Sequence, residues 1–238
     1  MDAVSLYIDI VKKAMTQNAP VQYQLAPESS FCLKMAKHHH PWSIKSVEFD
    51  TIRRFIADHN LQRGYECATA FGISAVAAGF GFRQTGGKLL TLDAYIEEIY
   101  NDCHAYENVS KVNESEEPDG LKSVRWLTEN YQLQDVIVPV KGWSPTDVPA
   151  AVHACFGSDP RLDYAFIDAG HWDDALISDL TAIHPLFAEK YAVFIHDTNA
   201  FGASAIDCCE RLFGRRWRLI SGCMYPFGFN MGIVTNLI

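Results

Sequence analysis

Five short apolar runs divide the chain from residue 64 onward, at 64–68, 88–92, 135–140, 163–167 and 191–195. Segments long enough for helices or mixed structure separate and follow them, at 73–82, 94–106, 121–133, 146–156 and 173–188. Antiparallel strands can be joined by two residues, whereas parallel strands need a crossover of a dozen or more, usually a helix. The alternation therefore predicts an α/β fold: a doubly wound, Rossmann-like, mostly parallel sheet with helices on both faces. Tyr164-Ala165-Phe166-Ile167 and the run 191–195 are continuously apolar, as strands covered on both faces are. The tail breaks the pattern. Residues 216–221 and 228–235 read as two strands with a turn and no helix between them, so an antiparallel hairpin completes a seven-stranded sheet.

Ahead of this unit, residues 46–59 place Val47, Ile52, Phe55 and Ile56 at helical spacing, with Ser46 as N-cap. Residues 3–16 place Val4, Ile8, Val11 and Met15 similarly, and 17–45 are irregular, with prolines at 20, 27 and 41. The expected division is a helical or lid extension over 1–45 and one domain over 46–238. Tyr23, Phe31, Met35 and Trp42 suit a cover over a bound molecule, core packing or a dimer contact. The run His38-His39-His40 reads as a solvated turn, the acidic stretch 114–119 as a solvated loop, and Gly79 to Gly87 as a glycine-rich loop between helix and strand. Phe227, Phe229, Asn230 and Met231 suit the wall of a pocket.

Lys plus Arg is 20 and Asp plus Glu is 29, a net charge of −9. An acidic chain argues against a nucleic-acid backbone as partner. Arg211, Arg215, Arg216 and Arg218 then read as a solvated helix end. The 7 cysteines include no C-x-x-C pair, so neither a zinc framework nor a disulfide framework is expected. Cys67 and Cys155 read as buried thiols. No run of 18 apolar residues exists for a membrane span, and Asp2 and Asp9 break the first segment as a signal peptide. These features predict a reduced, cytoplasmic protein, in which the Asn108 and Asn113 sequons are chance matches.

Polar groups stand where the predicted strands end. Tyr65-Glu66-Cys67-Ala68-Thr69-Ala70-Phe71-Gly72-Ile73-Ser74 carries an acid into a turn of small residues that opens a helix. Small residues let a ligand approach the backbone, and the helix start offers free N–H groups. Asp93 ends the second strand, where a carboxylate can accept a ribose diol or cap a helix. Gly142-Trp143-Ser144 follows the third strand as a base-stacking turn or a plain one. The fourth and fifth strands deliver Asp168 with His171, and His196 with Asp197. Such an edge of a parallel sheet is where ligands bind. The carboxylates suit a hard cation, and a histidine suits a general base near neutral pH.

This order resembles the class I S-adenosylmethionine-dependent methyltransferases. The motifs Ile167-Asp168-Ala169-Gly170-His171 and Phe194-Ile195-His196-Asp197 are similar to those of small-molecule O-methyltransferases of the sugar- and macrolide-modifying type, distant relatives of the catechol O-methyltransferases. The resemblance spans about residues 46–238. It implies methyl transfer from S-adenosylmethionine to a hydroxyl of a small molecule. Glu66, Ala68, Ala70 and Gly72 would then cradle the methionine part, with Thr69, Phe71 and Ser74 of the same loop among the cofactor contacts. Asp93 would hold the ribose, and Gly142, Trp143 and Ser144 would frame the adenine, with Asp168 and His171 also near the cofactor. His171 or His196, with Asp168, would take the acceptor's proton. In members that use Mg2+, Asp168 and Asp197 would be the ligands. A homodimer is compatible with this reading.

The family's loop usually has glycine where this chain has Ala68 and Ala70. That departure leaves open a same-fold enzyme that no longer transfers methyl groups, such as a cyclase or hydrolase. A non-catalytic binding protein is the third reading, and polar groups on every strand end argue against it.

Overall fold

The structure is a computed structural model that describes residues 44, 46–70, 72–96, 119–221 and 231–237. The expectations for 1–43, for Phe71, for most of the helix at 94–106, for the acidic stretch up to 118, for Phe227, Phe229 and Asn230, and for Cys32, Cys103 and Cys223 lie outside the described residues.

The described chain opens with helix α1, Ser46–Asp58, and then alternates: β1 Arg63–Cys67, α2 Ile73–Thr85, β2 Lys88–Asp93, α3 Asp119–Asn130, β3 Ile137–Lys141, α4 Val148–Phe156, β4 Leu162–Ile167, α5 Asp173–Ile183 and β5 Phe187–Ile195. Helix α6 (Ala203–Phe213) leads into β6 (Arg218–Ser221) and β7 (Met231–Thr235). The seven strands form one sheet in the order β3-β2-β1-β4-β5-β7-β6. The first five are parallel, and β7 runs antiparallel to both β5 and β6. This is the Rossmann-like sheet with a terminal antiparallel pair that the alternation implies. Pro139, which cannot donate to a ladder, lies in β3 at the sheet's edge, where proline is tolerated.

The core divides along the sheet. On β5, Ala192 and Phe194 face a cluster with Ile52 and Ile56 of α1 and Phe82 of α2. Tyr191, Val193 and Ile195 face the other side, with Leu176 and Leu180 of α5 and Val148 of α4. Alternate residues of one strand thus reach opposite cores, which is why the strand sequences are continuously apolar. Among the described residues, no helix is long and apolar enough to cross a membrane.

Some departures from the sequence reading have local reasons. Helix α5 ends at Ile183 rather than running to 188: Pro185 has no N–H to bond back along the helix, and a short 3-10 turn, His184–Leu186, takes over. Strand β5 accordingly starts at Phe187. Gly79 and Gly81 lie inside α2 and do not form a loop. A Cβ on Gly79 would stand 2.7 Å from Ile137 Cδ1, and one on Gly81 would stand 2.8 Å from the Arg53 carbonyl oxygen. These glycines let α2 lie directly against β3 and α1; the left-handed Gly86 (φ 75) ends the helix. Cys67 is buried, whereas Cys155 is only partly so.

Gly81→Val drives a branched side chain into the α1 backbone, where nothing flexible can yield. Overpacking of this kind costs about 1–3 kcal/mol. The unfolding midpoint in urea should fall accordingly, with an unchanged m-value; an unshifted midpoint would show that α1 does not press on α2 at Gly81.

Candidate functional site

Each strand end continues its ladder by one bond. Ala68 donates its N–H to Leu92 O (2.9 Å), Gly142 to Asp93 O (2.9 Å), Asp168 to Cys67 O (3.3 Å) and His196 to Ile167 O (3.0 Å). The residues just past β1, β3, β4 and β5 therefore share one rim with Asp93 at the end of β2.

The turn after β1 alternates through the left-handed region: φ is 63° at Ala68, 47° at Ala70 and 86° at Gly72. For an alanine that conformation costs about 1–2 kcal/mol. The alanines thus take up the backbone that glycines would, instead of shifting the loop. Asp93 holds the turn in place, its Oδ2 accepting the Ala70 N–H at 2.9 Å and its Oδ1 the Tyr95 N–H at 2.7 Å. Asp93 is therefore a clasp for this loop whatever else it binds. A carboxylate has about four acceptor sites, so each oxygen can serve the clasp and a further donor together.

Glu66 is buried, and its Oε1 accepts the Ser74 hydroxyl. Its Oε2 has no hydrogen-bond partner among the described residues. Burial pushes the carboxyl up to about 8, against the Ser74 bond, with Asp168 and Asp93 adding repulsion. Glu66 thus presents an unmet acceptor beside the left-handed turn.

Trp143 is exposed, while Ser144 turns inward and donates to Asp179 Oδ1 at 2.6 Å. The Tyr65 hydroxyl donates to Ser144 Oγ (3.4 Å) and the Cys67 thiol to Asp179 Oδ2 (3.8 Å). Asp179, on the buried face of α5, has its carboxyl raised by burial against the Ser144 and Cys67 donors. Trp143 N–H is held by Asp147 Oδ2 at 2.7 Å. The turn after β3 is thereby fixed from beneath.

On the β4 and β5 ends, His171 Nε2 lies 2.8 Å from Asp197 Oδ2 and 3.9 Å from Asp168 Oδ1. His196 Nδ1 lies 3.2 Å from Asp168 Oδ1 and 3.0 Å from Asp197 Oδ1. His171 is 51% exposed by its side chain and His196 4%. The carboxylates of Asp168 and Asp197 raise His171 to about 10. Burial would lower His196, but Asp168, Asp197 and Glu48 outweigh it and push the ring up to about 12. Asp197, which burial would raise, is instead held down at about 2 by the two imidazoles. Asp168, His171 and Asp197 each offer one ligand atom, all within 4.8 Å of one another, a set able to receive a metal ion.

Glu48, missed in the sequence reading, is fully buried on α1 with Oε2 3.4 Å from His196 Nε2. Its signal was present: Glu48, Ile52 and Ile56 fall at i, i+4, i+8, so an acid interrupts an apolar stripe. Asp173 was also passed over. It accepts the Gly202 N–H (2.8 Å) and the Ser204 hydroxyl, tying the His171 loop to the start of α6.

A family model described as "Methyltransferase domain" matches residues 65–198. No curated protein matches the sequence significantly. Among solved structures, an O-methyltransferase from Bacillus cereus in complex with SAH is similar at 14% identity, with 98% of this chain and 91% of that chain covered and a TM-score of 0.60. An O-methyltransferase from Streptomyces achromogenes involved in tomaymycin synthesis, in complex with SAM, is similar at 12% identity over 98% and 96%, TM-score 0.58. A SAH-bound methyltransferase from Podospora anserina is similar at 13% identity over 94% and 94%, TM-score 0.56. At these identities the likeness is one of fold.

Because its folded pKa lies above its unfolded one, Glu66 favours folding fully below pH 4.5, and that contribution is lost as pH rises toward 8. Glu66→Gln keeps an acceptor for Ser74 without the charge. Its stability relative to wild type should therefore climb between pH 5 and pH 9. Each tenfold change in proton affinity is worth about 1.4 kcal/mol, so the climb can reach several kcal/mol at most. Urea melts at the two pH values test this, and a constant difference would mean that Glu66 is not held neutral.

Proposed function

Since the chain belongs to the methyltransferase-domain family, we propose that it is an S-adenosylmethionine-dependent O-methyltransferase acting on a hydroxyl of a small molecule, with His171 as the general base. The observation that carries this reading is the half-exposed His171 ring, fixed 2.8 Å from Asp197 on the same rim as the left-handed turn after β1. The SAM and SAH named for the similar structures support the cofactor. Ala68 and Ala70, which kept a non-transferring enzyme open, favour methyl transfer instead by adopting glycine-like backbone angles. Residues 46–238 form the catalytic unit in this reading, with 1–45 as its extension.

S-adenosylmethionine supplies an electrophilic methyl on a positively charged sulfur. The chain's own task is to align an acceptor oxygen with that carbon and to remove the oxygen's proton. Glu66, with its unmet Oε2, receives the ammonium of the methionine part. Ala68, Thr69, Ala70 and Gly72 offer backbone, and Asp93 offers its carboxylate to the ribose. Gly142 and Trp143 frame the adenine over the platform that Ser144 and Asp179 fix. The acceptor's proton passes to His171 Nδ1, the nitrogen left free when Asp197 holds Nε2 at 2.8 Å. At about 10, His171 carries a proton in the free protein at neutral pH.

The donor set also fits a divalent cation. Asp168 and Asp197 would hold it, with His171 as a third donor within reach; two carboxylates and an imidazole suit Mn2+ or Zn2+ at least as well as Mg2+. Such an ion would lower the pKa of an acceptor hydroxyl.

Thermal unfolding with S-adenosylhomocysteine tests the cofactor. Ligand at 100 times its Kd adds about 2.7 kcal/mol, so Tm should rise by about 5–10 °C. No rise at saturating ligand would sink the reading. For the base, His171→Ala should reduce turnover by about 10²–10⁴-fold while S-adenosylhomocysteine affinity holds. Wild-type turnover should climb with pH toward 10, as the imidazolium is lost. Full activity of His171→Ala would remove it as the base.

A further inference from the structure

The family model matches residues 65–198, yet the densest ion-pair network on the rim is completed by a residue outside that range. Glu48 is fully buried on α1, where Phe49, Ile52 and Ile56 join the core. Its Oε2 stands 3.4 Å from His196 Nε2, and the opposite edge of that ring, Nδ1, stands 3.2 Å from Asp168 and 3.0 Å from Asp197. The other oxygen of Asp197 reaches His171 Nε2 at 2.8 Å. Four side chains therefore join end to end, from a buried helix to the half-exposed ring that the proposed chemistry uses.

An imidazole tied at one nitrogen still turns about χ2, a soft and roughly two-fold torsion. A carboxylate beside the other nitrogen, as an ion-pair contact rather than a hydrogen bond, favours one of the two orientations. Phe166 lies alongside the His196 ring, with centroids 6.1 Å apart, and closes one side without selecting which edge faces Asp197. We propose that Glu48 is a positioning residue: its buried carboxylate, 3.4 Å from Nε2 of His196, favours the ring orientation that keeps Nδ1 on Asp168 and Asp197, and so sets the direction in which Asp197 aims His171. The consequence for turnover rests on the methyl-transfer reading, whereas the geometric statement does not.

Protein labelled with 15N in its histidine rings, compared as wild type, Glu48→Ala and Glu48→Gln at one pH, tests this. Long-range 1H–15N spectra should show the ring resonances of both His196 and His171 moved in Glu48→Ala. Glu48→Gln, whose amide oxygen can accept in the same place, should return His171 to its wild-type position while His196 Nε2 stays displaced by the loss of charge. Ile52→Val loosens the same helix without touching His196 and should move neither ring. Unmoved His171 resonances in folded Glu48→Ala would overturn the proposal, as would equal shifts in Ile52→Val. If Glu48→Ala does not fold, Glu48→Gln decides: a displaced His196 Nε2 signal supports the role, and an undisplaced one overturns it. Under the methyl-transfer reading, Glu48→Ala should also lower turnover about tenfold or more, and Glu48→Gln should recover most of it. Calorimetry of wild type with S-adenosylhomocysteine is run alongside; absence of binding sinks the cofactor reading and leaves the ring measurement standing.

Discussion

The bonds Ala68 N–H to Leu92 O, Asp168 N–H to Cys67 O and His196 N–H to Ile167 O carry the parallel ladders one step past the strands. Much of the site depends on that step. Parallel pairing leaves the strand ends level, so whatever follows each strand emerges on the same rim. A strand slipped by one residue would turn its acid from the rim into a core. The two-sided core prevents the slip: Phe194 and Ile195 are committed to opposite clusters, which leaves His196 and Asp197 no alternative register.

The rim is costly to maintain, and the structure shows how the cost is met. Asp168 and Asp197 face each other across β4 and β5 with their oxygens within reach of two imidazoles. Carboxylates brought this close repel unless a positive charge lies between them. Two histidines held cationic supply that charge, and the half-exposed one can give up its proton. Glu66 is treated differently: it has one hydroxyl donor and no cation, so burial keeps its proton on. One rim thus holds a pair of carboxylates poised against cations and a third acid poised for one.

Helix α1 belongs to this arrangement through packing. Gly81 lets α2 lie against the Arg53 carbonyl, and Ile52 and Ile56 fill the core beneath. Glu48 of the same helix stands 3.4 Å from His196 at the end of β5. The rim and the contact between α1 and α2 are therefore packed into one unit.

Much of this was legible in the chain itself. The spacing of apolar runs was enough for the parallel sheet and its closing hairpin, because crossover length and two-sided burial are local constraints. The acids and histidines after each run could be assigned to one rim for the same reason. Pairings across elements were not legible. Nothing in the order of residues says that Asp93 clasps Ala70 or that Ser144 turns in toward Asp179. Each depends on how closely two elements pack, which side-chain volumes across the sheet decide. Sequence by itself determined the layers, the rim and its chemical groups; only the tertiary structure decided which group each one faces, and through Glu48 it brought in a residue whose role exists only once α1 is packed against the sheet.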